Sequence, residues 1–313
     1  MTEPDPTPNR RRPRDYRRTG SQRALAEMAE HLDIRIGPEG RVRGGNVMSS
    51  STYLLAGQAS ELERLQLQSR VWEPSGRRLL AEIGDGGGGR AVDIGCGVMG
   101  WLGLLSEWVG PDGEVVGTDI DDAMLCAAEQ FVADEGLGNV LLRTDDLFAT
   151  RLEPASFDLV HARFELTPLG RGHDQMDTYV RLLRPGGTIV LEDPDWGSWH
   201  FNPPAEGSQK LITLIHEAFA RWGDAEAGRN HLELLRSCGI EGNVRAEVLA
   251  LPPGHPYLWL PLQFSVGLEP RLLSYVSAQE LRRLRQDAEN ELQEPARWGT
   301  TFTLIQSWGR TVT

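Results

Sequence analysis

The stretch AVDIGCGVMGWL, residues 91–102, constrains this chain more than any other. A short apolar run of strand type leads into Gly95, Gly97 and Gly100, and an apolar helical pattern follows. Strand, glycine turn and helix in that order begin a βαβ unit. The glycines spell G-x-G-x-x-G. Glycine lets the backbone turn tightly and lie against a ligand where a Cβ would clash. The spacing suits an adenosine-bearing ligand, and its strand context strengthens a signal that is weak alone.

The rhythm continues downstream. EVVGTDI reads as a strand, DDAMLCAAEQFVADEGL as a helix, and NVLLRTDD and FDLVHARF as strands. TYVRLLRPGG is a helix with a Pro-Gly-Gly stop, TIVLED a strand, and TTFTLIQSWGR a closing strand. Such alternation predicts a parallel sheet with covering helices, an α/β fold. SQKLITLIHEAFARWG, HLELLRSCG and SAQELRRLRQDAENELQ are helical, with a strand in GNVRAEVLAL. Upstream, SQRALAEMAEHLD and Ala59–Ile83 are helical, and Pro74 marks a break in the second. The chain thus divides into an Arg/Pro-rich disordered tail at 1–20, a helical segment at 21–88 and a sheet domain at 89–313.

Acids outnumber bases 45 to 32 in the 313 residues, a net charge of −13. Six of the arginines fall in the tail, so the rest is more acidic still. That balance argues against a nucleic-acid groove or an anionic membrane surface as partner. No apolar run is long enough to span a bilayer. Cys96, Cys126 and Cys238 are too few and too scattered for a disulfide framework or a zinc cluster. No metal-ligand spacing appears elsewhere. A reducing cytoplasm is the expected compartment.

Asp93 stands two residues before the first glycine, giving D-x-G-C-G. A carboxylate there would repel the pyrophosphate of NAD and attract the ammonium of a methionine moiety. The loop therefore favours S-adenosyl-L-methionine (SAM), with S-adenosyl-L-homocysteine (SAH) as product. Gly95 and Gly97 make the close approach, and Cys96 is small enough to fit between them. Asp119 ends the second strand, where two carboxylate oxygens match two vicinal ribose hydroxyls. Ile120 would lie on an adenine face. Asp145, Asp146 and Leu147 follow the third strand, where one of the two carboxylates would take the adenine amino group; turn capping is the rival role.

From about Tyr53 onward the chain resembles the bacterial class I SAM-dependent methyltransferases, of the ubiquinone/menaquinone-biosynthesis type found beside natural-product pathways. The matching pieces are YLLAGQASELERLQLQ, VDIGCGVMGWL, VVGTDID, FDLVHARF, LLRPGG, LEDPDWGSW and GDAEAGRNHLELLRSCG. The resemblance implies a Rossmann-like fold: a mostly parallel seven-stranded sheet, helices on both faces, and an N-terminal helical lid. It implies that Tyr53 and Gln68 touch the methionine end of SAM and that Arg163 lies near its carboxylate. Acceptor-pocket insertions would fall at 193–235 and 252–295. Two positions depart from the pattern. The third glycine comes at Gly100, where the family places it at Met99, and Glu165 occupies a usually apolar place. A carboxyl there would have a raised pKa; a solvated helix-start Glu is the alternative.

Methyl transfer from an activated donor needs mainly alignment and exclusion of water, with a base when the acceptor is a hydroxyl. His161, after the fourth strand, is the candidate base, the other role being that of a hydrogen-bonded structural histidine. HARF replaces the N-P-P-Y of amino-group methylation on nucleic acids and proteins. Asp195, Trp196, Trp199 and His200, in LEDPDWGSWHFNPP, would face the acceptor, with Asp195 or His200 orienting a polar group between indoles. A Trp-anchored, Asp-capped loop is the competing role. PYLWLPLQF, at 256–264, either lines the acceptor pocket or packs a homodimer interface. The expected function is methyl transfer to a small, fairly apolar metabolite, O-methylation favoured, in bacterial secondary metabolism. The alternatives are a non-methylating role on the same fold, such as a cyclase or binding partner, and an NAD-dependent oxidoreductase.

Overall fold

The computed structural model describes residues 59–312. The tail, the helix expected at 21–33 and Tyr53 lie outside the described residues. Seven strands form the main sheet: β1 (Arg90–Ile94), β2 (Glu114–Asp119), β3 (Val140–Thr144), β4 (Phe157–Arg163), β5 (Leu183–Asp195), then β7 (Gly242–Glu247) and β10 (Thr303–Arg310). Their order is β3-β2-β1-β4-β5-β10-β7. The first five are parallel, and β10 runs antiparallel to both β5 and β7. Strand order reverses at β1, so a crevice opens beyond the carboxyl ends of β1 and β4. Open α/β sheets bind ligands at such a switch point.

Ten helices accompany the sheet among the described residues. They are α1 (Ala59–Ile83), α2 (Leu102–Val109), α3 (Asp122–Asp134), the one-turn α4 (Leu166–Leu169), α5 (Gly172–Leu182), α6 (Glu206–Trp222), α7 (Ala227–Ser237), α8 (Leu260–Gly267), α9 (Glu269–Leu272) and α10 (Ala278–Leu292). Strand periodicity divides the core. Val92 and Ile94 enter one apolar cluster with Val160, Met176, Tyr179, Leu191 and Leu235. Ala91 enters the other with Leu79, Trp101, Leu102, Leu105, Leu159 and Val190. Asp121 caps α3 by accepting from Ala123 N–H at 2.8 Å, and Ser277 caps α10 through Glu280 N–H at 3.1 Å.

Three local expectations change. Pro74 does not break α1, which runs on through it with the ring exposed. The R-P-G-G segment belongs to β5. There the register with β4 jumps from Phe157↔Leu183 to Leu159↔Thr188, so residues 184–187 form a bulge. The later segments also build a second antiparallel sheet, β6 (Phe201–Asn202), β8 (Ala250–Leu251) and β9 (Trp298–Thr300), in the order β6-β9-β8.

Candidate functional site

A cleft of about 870 Å³, counting its open mouth, lies over the ends of β1, β2 and β4. The glycine loop forms its floor. Gly95 has φ +64° and Gly100 φ +38°. A Cβ on Gly100 would come 2.3 Å from Asp93 Oδ2 and 2.7 Å from the Cys96 carbonyl oxygen. The shifted third glycine is thus required where it stands: Asp93 Oδ2 accepts the Trp101 N–H at 2.7 Å and brings that nitrogen in to start α2.

Asp93 also accepts from His161 on the adjacent strand, Nδ1 to Oδ1 at 2.7 Å. The other ring nitrogen lies 3.3 Å from Glu192 Oε2. Gln306 donates to Glu192, and Arg163 Nε lies 3.9 Å from it. The register places these groups in one buried band across β1, β4, β5 and β10, because Asp93 pairs with His161, Arg163 with Glu192, and Glu192 with Gln306. Trp101 stacks on the His161 ring at 3.9 Å. Both His161 nitrogens are engaged, and the ring is fully buried away from the cleft lining. Of the two roles expected for His161, acceptor's base or hydrogen-bonded structural histidine, these contacts match the second: it ties β1, β4 and β5 together beneath the glycine loop.

Burial opposes a charge on His161, but Asp93 and Glu192 outweigh it and raise its pKa above the ordinary value. Burial likewise opposes a charge on Glu192, but His161, Arg163 and Gln306 outweigh it and lower its pKa. The signs bound a window. The His161 contribution to stability is fully present below about pH 6.5 and is lost as pH rises through its raised value. The Glu192 contribution is present above about pH 4.3 and is lost as pH falls through its lowered value. The stability difference between wild type and His161→Asn, from urea titrations at several pH values, is expected to be largest between these limits and to shrink on the alkaline side. A difference that grows as pH rises would contradict the assignment.

Several of the residues read from the sequence meet at the cleft. Gln68, Asp93, Gly95, Cys96, Gly97, Asp119, Arg163, Glu165 and Trp196 all line it. Gln68 accepts from Arg64 Nη1 at 2.9 Å. Asp119 accepts one backbone N–H on each oxygen, from Gly97 at 3.0 Å and Asp121 at 2.9 Å, and burial raises its pKa. Arg163 Nη2 donates to Ser69 Oγ at 2.7 Å, while Nη1 is buried with no partner among the described residues. An unpaired buried guanidinium nitrogen is costly unless a ligand anion meets it. The fit to a cofactor carrying a carboxylate and a ribose diol rests on these two residues.

Others are placed elsewhere. Ile120 is half exposed and stands outside the lining. Asp145 accepts Arg151 N–H at 2.9 Å and Asp146 caps a one-turn 3-10 segment through Phe148 N–H at 2.9 Å, with Leu147 buried after them. None of the three lines the cleft. Asp195 is turned outward into a bidentate pair with Arg229, 2.8 Å on each oxygen, which lowers its pKa. Arg229 saturates it, so it is not placed as a base. Trp199 is buried behind Trp196 and Phe302, at 5.7 and 5.8 Å between ring centroids. His200 is exposed, and its backbone pairs with Thr300. Trp199 and His200 therefore support the wall or the small sheet and do not line the cleft.

The aromatic wall is Phe164, Trp196, Phe219, Phe264 and Phe302, with Pro168 and Pro194. Phe264 ends the segment expected either to line the acceptor pocket or to pack an interface, whereas the sequence does not single out Phe219 or Phe302. Phe219 sits in an apolar helical pattern and Phe302 precedes a strand, and neither position signals a pocket. PYLWLPLQF folds as a 3-10 turn and helix α8; Tyr257 takes the Trp72 Nε1–H at 3.2 Å, and Phe264 reaches the cleft. Phe164 holds a left-handed φ of +59° at the end of β4, a strained conformation for a non-glycine residue beside a site. Trp196 Nε1 and Thr167 Oγ1 are buried without partners among the described residues.

Comparison with known proteins agrees with this geometry. Residues 91–187 match the family model described as methyltransferase domain. A demethylmenaquinone methyltransferase of Geobacillus kaustophilus is 39% identical over 106 residues, covering 34% of this chain and 45% of its own length. Nocamycin O-methyltransferase of Saccharothrix syringae is 37% identical over 123 residues, covering 39% of this chain and 44% of its own. The chain thus spans less than half the length of either relative. In fold, it resembles the crystal structure of the YcgJ protein from Bacillus subtilis, with a TM-score of 0.51, 16% identity, and coverage of 77% of this chain and 99% of that one. Residues 91–187 thus carry a methyltransferase domain, and its glycine loop and strand order are similar to those of the bacterial class I SAM-dependent methyltransferases.

Proposed function

We propose that this protein transfers the methyl group of SAM to an oxygen of a small, largely apolar metabolite. One observation carries the reading: a single cleft joins the glycine loop, Asp119 and Arg163 to a wall of five aromatic side chains. Arg163 would hold the cofactor's carboxylate and Asp119 its ribose hydroxyls, while Gly95 and Gly97 let it lie close. Bound SAM supplies a methyl group already activated on a sulfonium. The remaining work falls to the chain: the aromatic wall excludes water and orients the acceptor, and Thr167 Oγ1 and Trp196 Nε1 offer hydrogen bonds at its edge. The two relatives' names, one a quinone-precursor methyltransferase and one an O-methyltransferase of a named metabolite, support an apolar acceptor of secondary metabolism. The charge of −13 favours a small molecule over nucleic acid. No helix among the described residues is long and apolar enough to cross a membrane, and the three cysteines are unpaired, which supports a cytoplasmic setting.

The test incubates the full chain with SAM and paired acceptors, a phenol and naphthol series against the matching aryl amines, and measures SAH together with the mass and position of the added methyl group. O-methyl products are expected. Turnover of the amines alone would overturn oxygen as the target. SAM binding without SAH release across the panel and across culture extracts would favour a non-methylating role.

A further inference from the structure

Glu165 differs from the other acids around the cleft. Asp93 and Asp119 have both oxygens engaged. Asp193, on β5, takes the Thr167 N–H at 2.9 Å and lies 3.1 Å from His231 Nε2. The Glu165 carboxyl lines the cleft with no hydrogen-bond donor among the described residues. Its oxygens lie over the first glycine of the loop, where a Cβ on Gly95 would come 2.0 Å from Oε1. Close enough to act on it electrostatically are Asp93 from β1, Cys96 from the loop, Asp119 from β2, Asp193 from β5 and Tyr179 from α5. The arginines of the cleft have other partners, Arg163 being turned to Ser69 and Glu192 and Arg64 to Glu61 and Gln68, and beneath the cleft His161 is held by Asp93 and Glu192. Burial first, then Asp119, Asp193 and Asp93, pushes the Glu165 pKa well up, and the carboxyl sits among acids with no hydrogen-bond donor beside it.

We infer that Glu165 is a proton-exchanging counter-charge for the cofactor: protonated in the empty cleft, ionised when SAM binds, and then the base that takes the acceptor's proton. The inference rests on the proposed methyl transfer. SAM carries one more positive charge than SAH, the sulfonium. In an enclosed cleft a unit positive charge at close range favours an ionised carboxyl on the order of 100-fold. Binding therefore sends the Glu165 proton to solvent. In the transfer step the carboxylate takes the acceptor hydroxyl proton as the oxygen–methyl bond forms and the sulfur–methyl bond breaks, the sulfur keeping the bond pair. The products are the methyl ether, the neutral thioether and protonated Glu165, the state suited to a cleft that has lost its sulfonium. SAM binding would thus arm the base before chemistry.

The test is calorimetric titration of the full chain with SAM and with SAH at several pH values between about 5 and 8, in buffers of different ionisation heat, on wild type and Glu165→Gln. Wild type is expected to release more protons with SAM than with SAH, and Glu165→Gln to bind both with that excess abolished. Equal proton release for the two ligands in wild type, or an excess that persists in Glu165→Gln, would overturn the inference. Failure of both ligands to bind either protein would instead overturn the cofactor assignment beneath it. A second readout needs no ligand. A carboxyl with a raised folded pKa loses its contribution to stability as pH rises from about 4.3 through that value. The Glu165→Gln protein should therefore gain in melting temperature over wild type as pH rises, and a gap constant with pH would count against a neutral acid in the empty cleft.

Discussion

Asp93→Ala is expected to destabilise the fold by about 3–5 kcal/mol, because removing one partner of a buried charged network leaves the others uncompensated. Asp93 is 1% exposed. Its loss takes from His161 the shorter of its two carboxylate contacts and from Trp101 N–H its side-chain acceptor at the start of α2. His161 would be left with Glu192 at 3.3 Å, and the β1–β4 crossing would lose its polar tie. Asp93→Asn should fall between, since its amide oxygen can still accept one of the two hydrogen bonds. Urea titration of both variants checks this: the midpoint should drop steeply for Ala with the slope nearly unchanged. A loss below about 1 kcal/mol, the scale of an ordinary hydrogen bond, would show that the band is not structural.

Gly100→Ala is expected to weaken SAH binding on the order of 100-fold, about 2.7 kcal/mol. The methyl group would meet Asp93 Oδ2, held on both sides, and the Cys96 carbonyl, which is backbone. Neither can swing away, and φ of +38° strains any L side chain. The loop must therefore move, and Gly95 and Gly97 move with it. Gly95→Ala offers a contrast. Its φ of +64° also strains an L side chain, but the nearest atoms its methyl group would meet are the far end of the Glu165 side chain, which can rotate, so the fold should survive better than in Gly100→Ala. Equal SAH affinity for wild type and Gly100→Ala would show that the loop does not shape the cofactor site.

The sheet and the loop were legible because their signals are local: an apolar run, glycines at fixed offsets, a helix after them. Roles that depend on partners across strands were less so. His161 and Asp93 were each read alone, one as a base or a structural histidine and one as a contact for the cofactor's ammonium. Both follow the apolar run of a strand at similar depth, and aligning β1 with β4 on that depth would have placed them side by side. Asp195 and His200 looked chemical because of their types, but Arg229, thirty-four positions from Asp195, settles the first, and pairing in the small sheet settles the second. Phe219, Phe264 and Phe302 come from three distant segments, and their convergence on one wall has no local signature. Glu165 is the opposite case. Its departure from an apolar position was visible in the sequence, and the fold sets it at the cleft floor beside Gly95.

The central claim is that the glycine-floored cleft is a SAM site. It is tested most directly by the melting temperature of the full chain titrated with SAH, SAM and, in parallel, NAD. A ligand that binds only the folded state stabilises it by RT ln(1 + [L]/Kd). The account predicts a saturable rise with SAH and SAM, much reduced in Gly100→Ala, and none with NAD. Stabilisation by NAD with no response to SAM or SAH would contradict it.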